Sequence, residues 1–185
     1  MGSRFVQSDS SLMEITIGEY KLRPWRADDI AALTGHANNK HVADNLRDTF
    51  PSPYTEKDSI EWITLCQAEP LINFAIATKT EAIGNIGAHI GPDIHRYSAE
   101  VGYWIGESYW NKGVMTMALK AYSRYAFEKL GMVRLFATVF EWNPASARVL
   151  EKAGYSLEGR LRKYVTKNGR IADALLYALV KEEAG

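Results

Sequence analysis

Cysteine is nearly absent from this sequence: 185 residues hold one, Cys66. A lone thiol closes no intramolecular disulfide and builds no thiolate metal cluster. Beside Ile63 on a helical stretch, it reads as a small buried hydrophobe. Net charge is absent too, because 22 Lys+Arg face 22 Asp+Glu. So balanced a chain offers no global basic field to a nucleic acid and no acidic tail. No apolar run approaches the roughly 20 residues of a membrane span. The N-terminal M-G-S-R-F-V-Q-S-D-S-S lacks the apolar stretch of a secretory signal. His36, His41, His89 and His95 show no i, i+4 pairing, so no metal site is expected. Repeats, low-complexity tracts and Gly/Ser/Pro linkers are missing as well. These absences give the expectation of a cytoplasmic protein, with residues 1–12 a disordered tail or expression remnant and residues 13–182 a single domain.

What is present is an ordinary globular composition, 46% hydrophobic and 24% charged, which excludes disorder as the main state. A strand or hairpin is expected around Ile15 to Trp25. Acidic first-turn residues Asp28 and Asp29 then open a helix to about Ala37. The stretch Asn38 to Tyr54 reads as irregular, broken by Pro51 and Pro53. Thr55-x-x-Asp58 is a capping arrangement for a second helix running to Gln67. These two helices, polar over much of their surface, are expected to lie over the domain as lids.

Short apolar runs at Leu71 to Thr78 and Ile83 to Ile90 predict a hairpin, and Ser98 to Ile105 a third strand. From Gly113 the period changes: Val114, Met117, Ala118, Ala121, Tyr122 and Tyr125 form the stripe of a helix packed on a sheet. Val133, Leu135, Ala137 and Val139 alternate with Arg134, Phe136, Thr138 and Phe140, a strand. Asn143-Pro144 starts a helix and Gly154 closes it. Asn168-Gly169 turns the last two strands, Tyr155 to Thr166 and Arg170 to Val180. The order β–α–α–β–β–β–α–β–α–β–β predicts a mixed α/β domain with a central sheet.

The stretch E-V-G-Y-W-I-G-E-S-Y-W-N-K-G-V-M-T, Glu100 to Thr116, is strand, glycine-bearing loop and helix N-terminus. Free amides and the positive helix end suit a phosphate or pyrophosphate. It is neither a Walker A loop nor a G-x-G-x-x-G turn, and a purely structural loop explains it equally well. Arg160, Arg162, Lys163, Lys167 and Arg170 crowd one hairpin and read best as its solvated face.

An ordered set of motifs adds a resemblance. Leu22-Arg23-Pro24-Trp25 with Asp28-Asp29 comes first, then Leu46-Arg47-Asp48 and Phe50-Pro51-x-Pro53-Tyr54-Thr55. Glu100-Val-Gly-Tyr-Trp-Ile and Trp110-x-Lys112-Gly113 follow, and Asn143-x-x-Ser146, Glu151-Lys152-x-Gly154-Tyr155 and the Asn168-Gly169 hairpin close the set. Over nearly the whole chain the sequence resembles the GNAT superfamily of acyl-CoA-dependent N-acetyltransferases. It looks closest to the Rim-type branch that acetylates ribosomal-protein N-termini. The resemblance implies a mostly antiparallel central sheet, splayed in the middle and flanked by helices. It also implies acetyl-CoA as co-substrate, no metal, an amine acceptor and, as is common in the family, a homodimer.

By the same resemblance, the loop and helix start Trp110, Asn111, Lys112, Gly113, Val114, Met115 and Thr116 would wrap the pyrophosphate of coenzyme A. The sequence departs from the family pattern there: Trp110 replaces Gln or Arg, Asn111 stands where Gly is frequent, and Met115 crowds a position that usually admits close approach. Tyr103, Trp104 and Ile105 would pair with the pantetheine arm. Asn143 would contact the cofactor and Lys152 its nucleotide end. Glu100 is the implied general base, and an amide near Ile105 the oxyanion donor. Many relatives place a tyrosine acid where this chain has Leu150, so Ser146 is the remaining proton donor, although a serine there also serves a helix cap. Val165 stands where one ribosomal-protein relative has a base, and that role does not carry over. The implied acceptor is a protein N-terminal amine. An aminoglycoside, polyamine or amino sugar, or a non-catalytic CoA-binding sensor, are the alternatives.

Overall fold

The computed structural model describes residues 13–182, and the stretch 1–12 expected to be a tail lies outside them. Strands β1 (Ile15–Ile17) and β2 (Tyr20–Arg23) form the opening hairpin, and helices α1 (Ile30–Ala37), α2 (Lys40–Ala43) and α3 (Glu56–Leu65) follow. Next come β3 (Phe74–Ala77), β4 (Ala82–Ile90), β5 (Ser98–Ile105), α4 (Val114–Glu128), β6 (Arg134–Phe140), α5 (Pro144–Lys152), β7 (Ser156–Lys167) and β8 (Arg170–Val180). All eight strands join one sheet in the order β1-β2-β3-β4-β5-β6-β8-β7. Every neighbouring pair is antiparallel except β5 and β6.

The parallel pair sets the architecture. Its register runs from Ser98↔Arg134 to Glu100↔Phe136 and stops. Beyond Glu100, β5 pairs only with β4, through to Gly84↔Ile105, and β6 pairs only with β8, through to Phe140↔Ala174. The sheet therefore parts into a V whose apex is Glu100. The crossover between its two arms is α4, the connection that a parallel pair requires.

Two cores hold this shape, one on each face. On one, Val101 and Ile105 of β5, Leu135, Ala137 and Val139 of β6, Val114, Leu119 and Tyr122 of α4 and Leu150 of α5 pack together. On the other, Leu33 and Ala37 of α1 and Ile63 of α3 pack with Cys66, Trp25, Tyr54, Ala75 and Ala82. Helices α1 and α3 are thus more than the expected lids, because they close a core of their own.

Helix boundaries differ from the sequence expectation in two places. Ala27–Asp29 is a 3-10 turn that precedes α1. There Asp29 is buried and takes two bonds of 2.7 Å from the Arg23 guanidinium. It also accepts from the Arg26 N–H at 2.9 Å. A residue expected to greet a helix dipole is instead half of a buried bidentate pair. The stretch expected to be irregular contains α2, capped by Asn39 Oδ1, which accepts from the His41 N–H at 2.8 Å. The predicted Thr55–Asp58 box is present, with the Thr55 N–H donating to Asp58 at 2.7 Å.

Candidate active site

The open edge of β5 can be worked out from its hydrogen bonds. Side chains and backbone groups alternate along a strand. The Gly106 N–H donates to the Ile83 carbonyl at 2.8 Å and the Gly91 N–H to the Ser98 carbonyl at 2.9 Å, so even-numbered residues turn their backbone toward β4. The Val133 N–H donates to the Tyr97 carbonyl at 2.9 Å, so odd-numbered residues face the β6 side. The β4–β5 register is unbroken from Ile90↔Ala99 to Gly84↔Ile105. Val101, Tyr103 and Ile105 therefore present their peptide groups to the gap. The Trp110 indole N–H, at 2.9 Å, already occupies the Ile105 carbonyl. Trp104 spends its backbone on β4, and its indole packs edge-on to Phe50, ring centroids 5.8 Å apart.

Past β5 the chain makes a 3-10 turn, Glu107–Tyr109, and enters α4 through two left-handed residues, Asn111 (φ 61°) and Gly113 (φ 76°). Asn tolerates that region and Gly adopts it without cost. The amides of Val114, Met115 and Thr116 are the free donors that every helix start leaves. Met115, expected to crowd this mouth, is buried and packs in the α4-side core. Lys112 lies with its ammonium 5.2 Å from the Tyr109 ring centre.

Helix α5 closes the same side. Asn143 caps it, its Oδ1 accepting from the Ser146 N–H at 3.1 Å. Ser146 Oγ lies 2.9 Å from the hydroxyl of Tyr103, which reaches across from β5. Burial holds the Tyr103 phenol above its ordinary value, only partly offset by Ser146, so it stays protonated and able to donate. Leu150 is fully buried in the core, and Lys152 stands exposed in the last turn.

The opposite face is built from side chains. Glu100, Gly102 and Trp104 share it by alternation along β5, as Phe136, Thr138 and Phe140 do along β6. Glu100 Oε1 accepts from Thr138 Oγ1 at 2.9 Å and meets Arg47 Nη2 at 2.6 Å. A Cβ at Gly102 would touch nothing within 4 Å, so the floor beside Glu100 is open. Phe50 stacks against Tyr54 and Trp104 as the wall. The β7–β8 hairpin tip reaches this wall: Lys167 Nζ lies 2.8 Å from Asp48, and the Asn168 amide donates to Asp44 at 3.0 Å.

Further contacts tie the two faces. The Asn39 amide donates to Glu107 at 2.7 Å, His41 Nδ1 lies 2.9 Å from the same carboxylate, and these bonds hold Glu107 below the usual range. His36 approaches Glu81 at 3.4 Å, and the Tyr109 hydroxyl donates to Glu81 at 3.1 Å. Part of the basic hairpin is ion-paired: Arg160 bridges Asp173 (2.6 Å) and Glu141 (2.8 Å). Val165 sits within β7 opposite Ala172.

The structure thus gathers Glu100, Tyr103, Ile105 and Ser146 around one gap, with the Trp110–Thr116 loop at its far end. Sequence reasoning missed Arg47, Thr138 and the Tyr103 hydroxyl. The only available signal was Arg47's place in the Leu46-Arg47-Asp48 motif. The other two depend on which strands meet.

Comparison with known proteins gives a consistent result. Residues 20–156 match the family described as "Acetyltransferase (GNAT) domain". The N-acetyltransferase YoaA of Bacillus subtilis is 33% identical over 156 residues, covering 83% of this chain and 82% of its own. The ribosomal-protein-serine acetyltransferase of Escherichia coli is 32% identical over 108 residues, 58% of this chain and 59% of its own. Among solved structures, Mycobacterium smegmatis RimJ in complex with CoA-disulfide superposes with a TM-score of 0.77 at 26% identity, covering 87% of this chain and 81% of that one.

Proposed function

The chain belongs to the GNAT acetyltransferase family, and from that premise we propose that it moves an acetyl group from acetyl-CoA directly onto the α-amine of a protein N-terminus. The observation that carries this reading is the parting of β5 and β6 at Glu100. It opens a slot with a free peptide edge, a helix N-terminus at one end and a carboxylate at its apex. Val101, Tyr103 and Ile105 would hold the pantetheine arm through that edge, and the amides of the Trp110–Thr116 loop would hold the pyrophosphate. Asn143 and Lys152 flank the path. The E. coli ribosomal-protein-serine acetyltransferase among the relatives supports the N-terminal acceptor.

The chemistry follows from these groups. An α-amine, with a reference pKa near ~8, is largely protonated at neutral pH and must lose a proton before attacking. Glu100 takes that proton. The amine nitrogen then bonds to the thioester carbonyl carbon, whose oxygen gathers charge that the Ile105 N–H stabilises. As the C–S bond breaks, the nitrogen gives up its second proton to solvent and the thiolate takes one from the Ser146 hydroxyl, which the Tyr103 hydroxyl replenishes. The proton held by Glu100 and the one shed by the nitrogen exceed the one Tyr103 regains from water by a single proton. The ammonium and acetyl-CoA therefore give the amide, free CoA and one H+.

Thiol release from acetyl-CoA, measured with an N-terminal peptide, a polyamine and an amino sugar, tests the reading. Turnover greatest with the peptide is expected. Preference for either other amine reassigns the acceptor, and tight CoA binding without turnover on any amine overturns the catalytic reading.

A further inference from the structure

Arg47 occupies a position that the transfer chemistry alone does not require. Its Nη2 lies 2.6 Å from Glu100 Oε1, the same oxygen that Thr138 Oγ1 reaches at 2.9 Å. Both contacts fall on one oxygen, and among the described residues no hydrogen bond is made to Oε2. Arg47 itself is two-thirds exposed, with a side-chain value of 66%. Its guanidinium carries five N–H donors in a planar fork, and its shortest contact with Glu100 is through Nη2. Glu100 is largely buried, but the arginine end of the pair stands in solvent, so a ligand can reach and share it.

The backbone beneath that side chain is fixed. The Phe50 N–H donates to the Arg47 carbonyl at 2.9 Å in a tight turn. Phe50 is wedged between Tyr54 and Trp104, with ring centroids 5.0 and 5.8 Å away. Asp48, the next residue, is held by the buried Lys167 of the β7–β8 hairpin at 2.8 Å. An exposed cationic fork is thus mounted on an anchored segment, directly beside the apex carboxylate.

We infer that Arg47 and Glu100 form a two-point reader of the α-amino-carbonyl unit, which rests on the acetyltransferase reading above. Glu100 Oε2 receives the α-ammonium, and the guanidinium of Arg47 donates to the oxygen of the carbonyl group bonded to the same α-carbon. Ammonium and carbonyl lie two bonds apart in every peptide N-terminus, and the carboxylate and guanidinium sit in contact to match. A simple alkylamine satisfies the first point only. A polyamine brings a second cation toward Arg47 and is repelled. Arg47 is on this account a residue of acceptor specificity, with no part in holding acetyl-CoA.

The test uses three amines with the full-length protein: L-alaninamide, β-alaninamide (carbonyl one carbon further away) and isopropylamine (no carbonyl), each compared on the concentration of its ammonium form. The wild type is expected to prefer L-alaninamide by about tenfold or more in kcat/KM, an increment typical of a charge-assisted hydrogen bond. Arg47→Met should remove that preference chiefly through KM for alaninamide, leaving isopropylamine and acetyl-CoA within about threefold. Arg47→Lys, which keeps the charge and loses the fork, should restore part of it. Equal use of all three amines by the wild type overturns the reader and leaves the acetyltransferase reading standing. So does an Arg47→Met variant that lowers all three alike. Thiol release with none of them overturns both.

Discussion

The two faces of the splayed sheet are built from different materials. In the proposed reaction the side toward α4 and α5 takes the donor and the opposite side the acceptor. This donor side offers peptide groups: the odd-numbered edge of β5, the loop entered through Asn111 and Gly113, and the start of α4. Behind them lies a core centred on Tyr122, Leu135 and Leu150. The acceptor side offers side chains instead, with Glu100, Arg47 and Thr138 joined by hydrogen bonds and ion pairs beside the Phe50–Trp104 wall. A backbone-built site tolerates substitution, because any residue supplies an N–H. In the proposed site, Trp110 and Met115 depart from the family pattern without removing the amides that the loop offers. A side-chain-built site changes whenever its residues do, and it is where related enzymes can part company over acceptors.

The contrast is broken most directly at the apex. Glu100→Gln keeps the shape and the Thr138 contact but removes the base. Turnover should fall about 10²–10⁴-fold, the usual worth of general base catalysis, and the rising limb of the pH–rate profile should flatten. Acetyl-CoA affinity, set on the other face, should stay within about twofold by calorimetry. An unchanged pH profile removes Glu100 from the mechanism. A large loss of CoA affinity shows that the faces are not separable.

The donor side should instead fail through stability. Leu150 is fully buried, and truncating such a leucine costs about 2–5 kcal/mol. At this chain length each kcal/mol moves Tm by about 2–4 °C, so Leu150→Ala should melt roughly 5–15 °C lower. A variant that melts normally yet turns over slowly would assign Leu150 a chemical role that its burial does not suggest.

Alkaline titration reaches both faces together. Burial pushes the Tyr155 phenol on the donor side up to about 12, and the Tyr54 phenol and Cys66 thiol in the acceptor-side core also up to about 12. Each group's folded value lies above its unfolded value, so the folded state keeps protons that the unfolded chain gives up. The stability this contributes is complete below about pH 9 and is lost as pH rises toward 12. The urea midpoint should therefore fall steadily across that window. Tyrosinate absorbance from these residues should appear with unfolding. Their ionisation at pH 10 in a still-folded protein would show that the two cores are wetter than their packing implies.

Ser146→Ala asks whether the cap and the proton donor are one residue or two. The backbone N–H that Asn143 receives survives the change, so α5 should remain capped. Turnover should drop about tenfold, within the general range for an acid catalyst whose neighbour, here the Tyr103 hydroxyl, can partly substitute. A loss of helix with no specific loss of rate would reduce Ser146 to a cap.

How much of this was legible in the sequence follows the same division. The β5 strand, its junction with α4 and the Asn143–Pro144 helix start are local signals, each carried by periodicity or by one capping residue, and they appear where expected. Glu100 and Ser146 were singled out by the family resemblance of the motifs that sit on those local elements, and their roles are the proposal made above. Arg47 was visible only as part of a motif without a role. Its partner lies more than fifty positions away, and nothing in either stretch announces the other. Thr138 and the Tyr103–Ser146 contact are consequences of register and crossover. Asp29 looked like helix-dipole chemistry because acidic first-turn residues usually are, until the buried guanidinium of Arg23 claimed it. The α1 and α3 helices looked polar because the residues that bury them, Trp25, Tyr54 and Ala75, are elsewhere in the chain.

The smallest expected effect concerns the seam between the acceptor wall and the hairpin. Lys167 is one of the few buried charges, with 10% of its side chain exposed, while its partner Asp48 is 76% exposed. A pair so unevenly placed behaves as a surface bridge from the aspartate's end, worth about 0–1 kcal/mol, though removing Asp48 leaves the lysine ammonium poorly compensated. Asp48→Asn keeps a hydrogen-bond acceptor for that ammonium and removes only the charge. Its Tm should therefore fall by no more than about 4 °C. Because the bridge steadies the segment that carries Arg47, the acceptor KM should rise about twofold to threefold, while kcat and the acetyl-CoA KM hold. Steady-state kinetics with both substrates varied separates these quantities. An acetyl-CoA KM that moves as far as the acceptor KM would mean that the hairpin seam belongs to both faces, and the division between a backbone-built donor side and a side-chain-built acceptor side would have to be redrawn there.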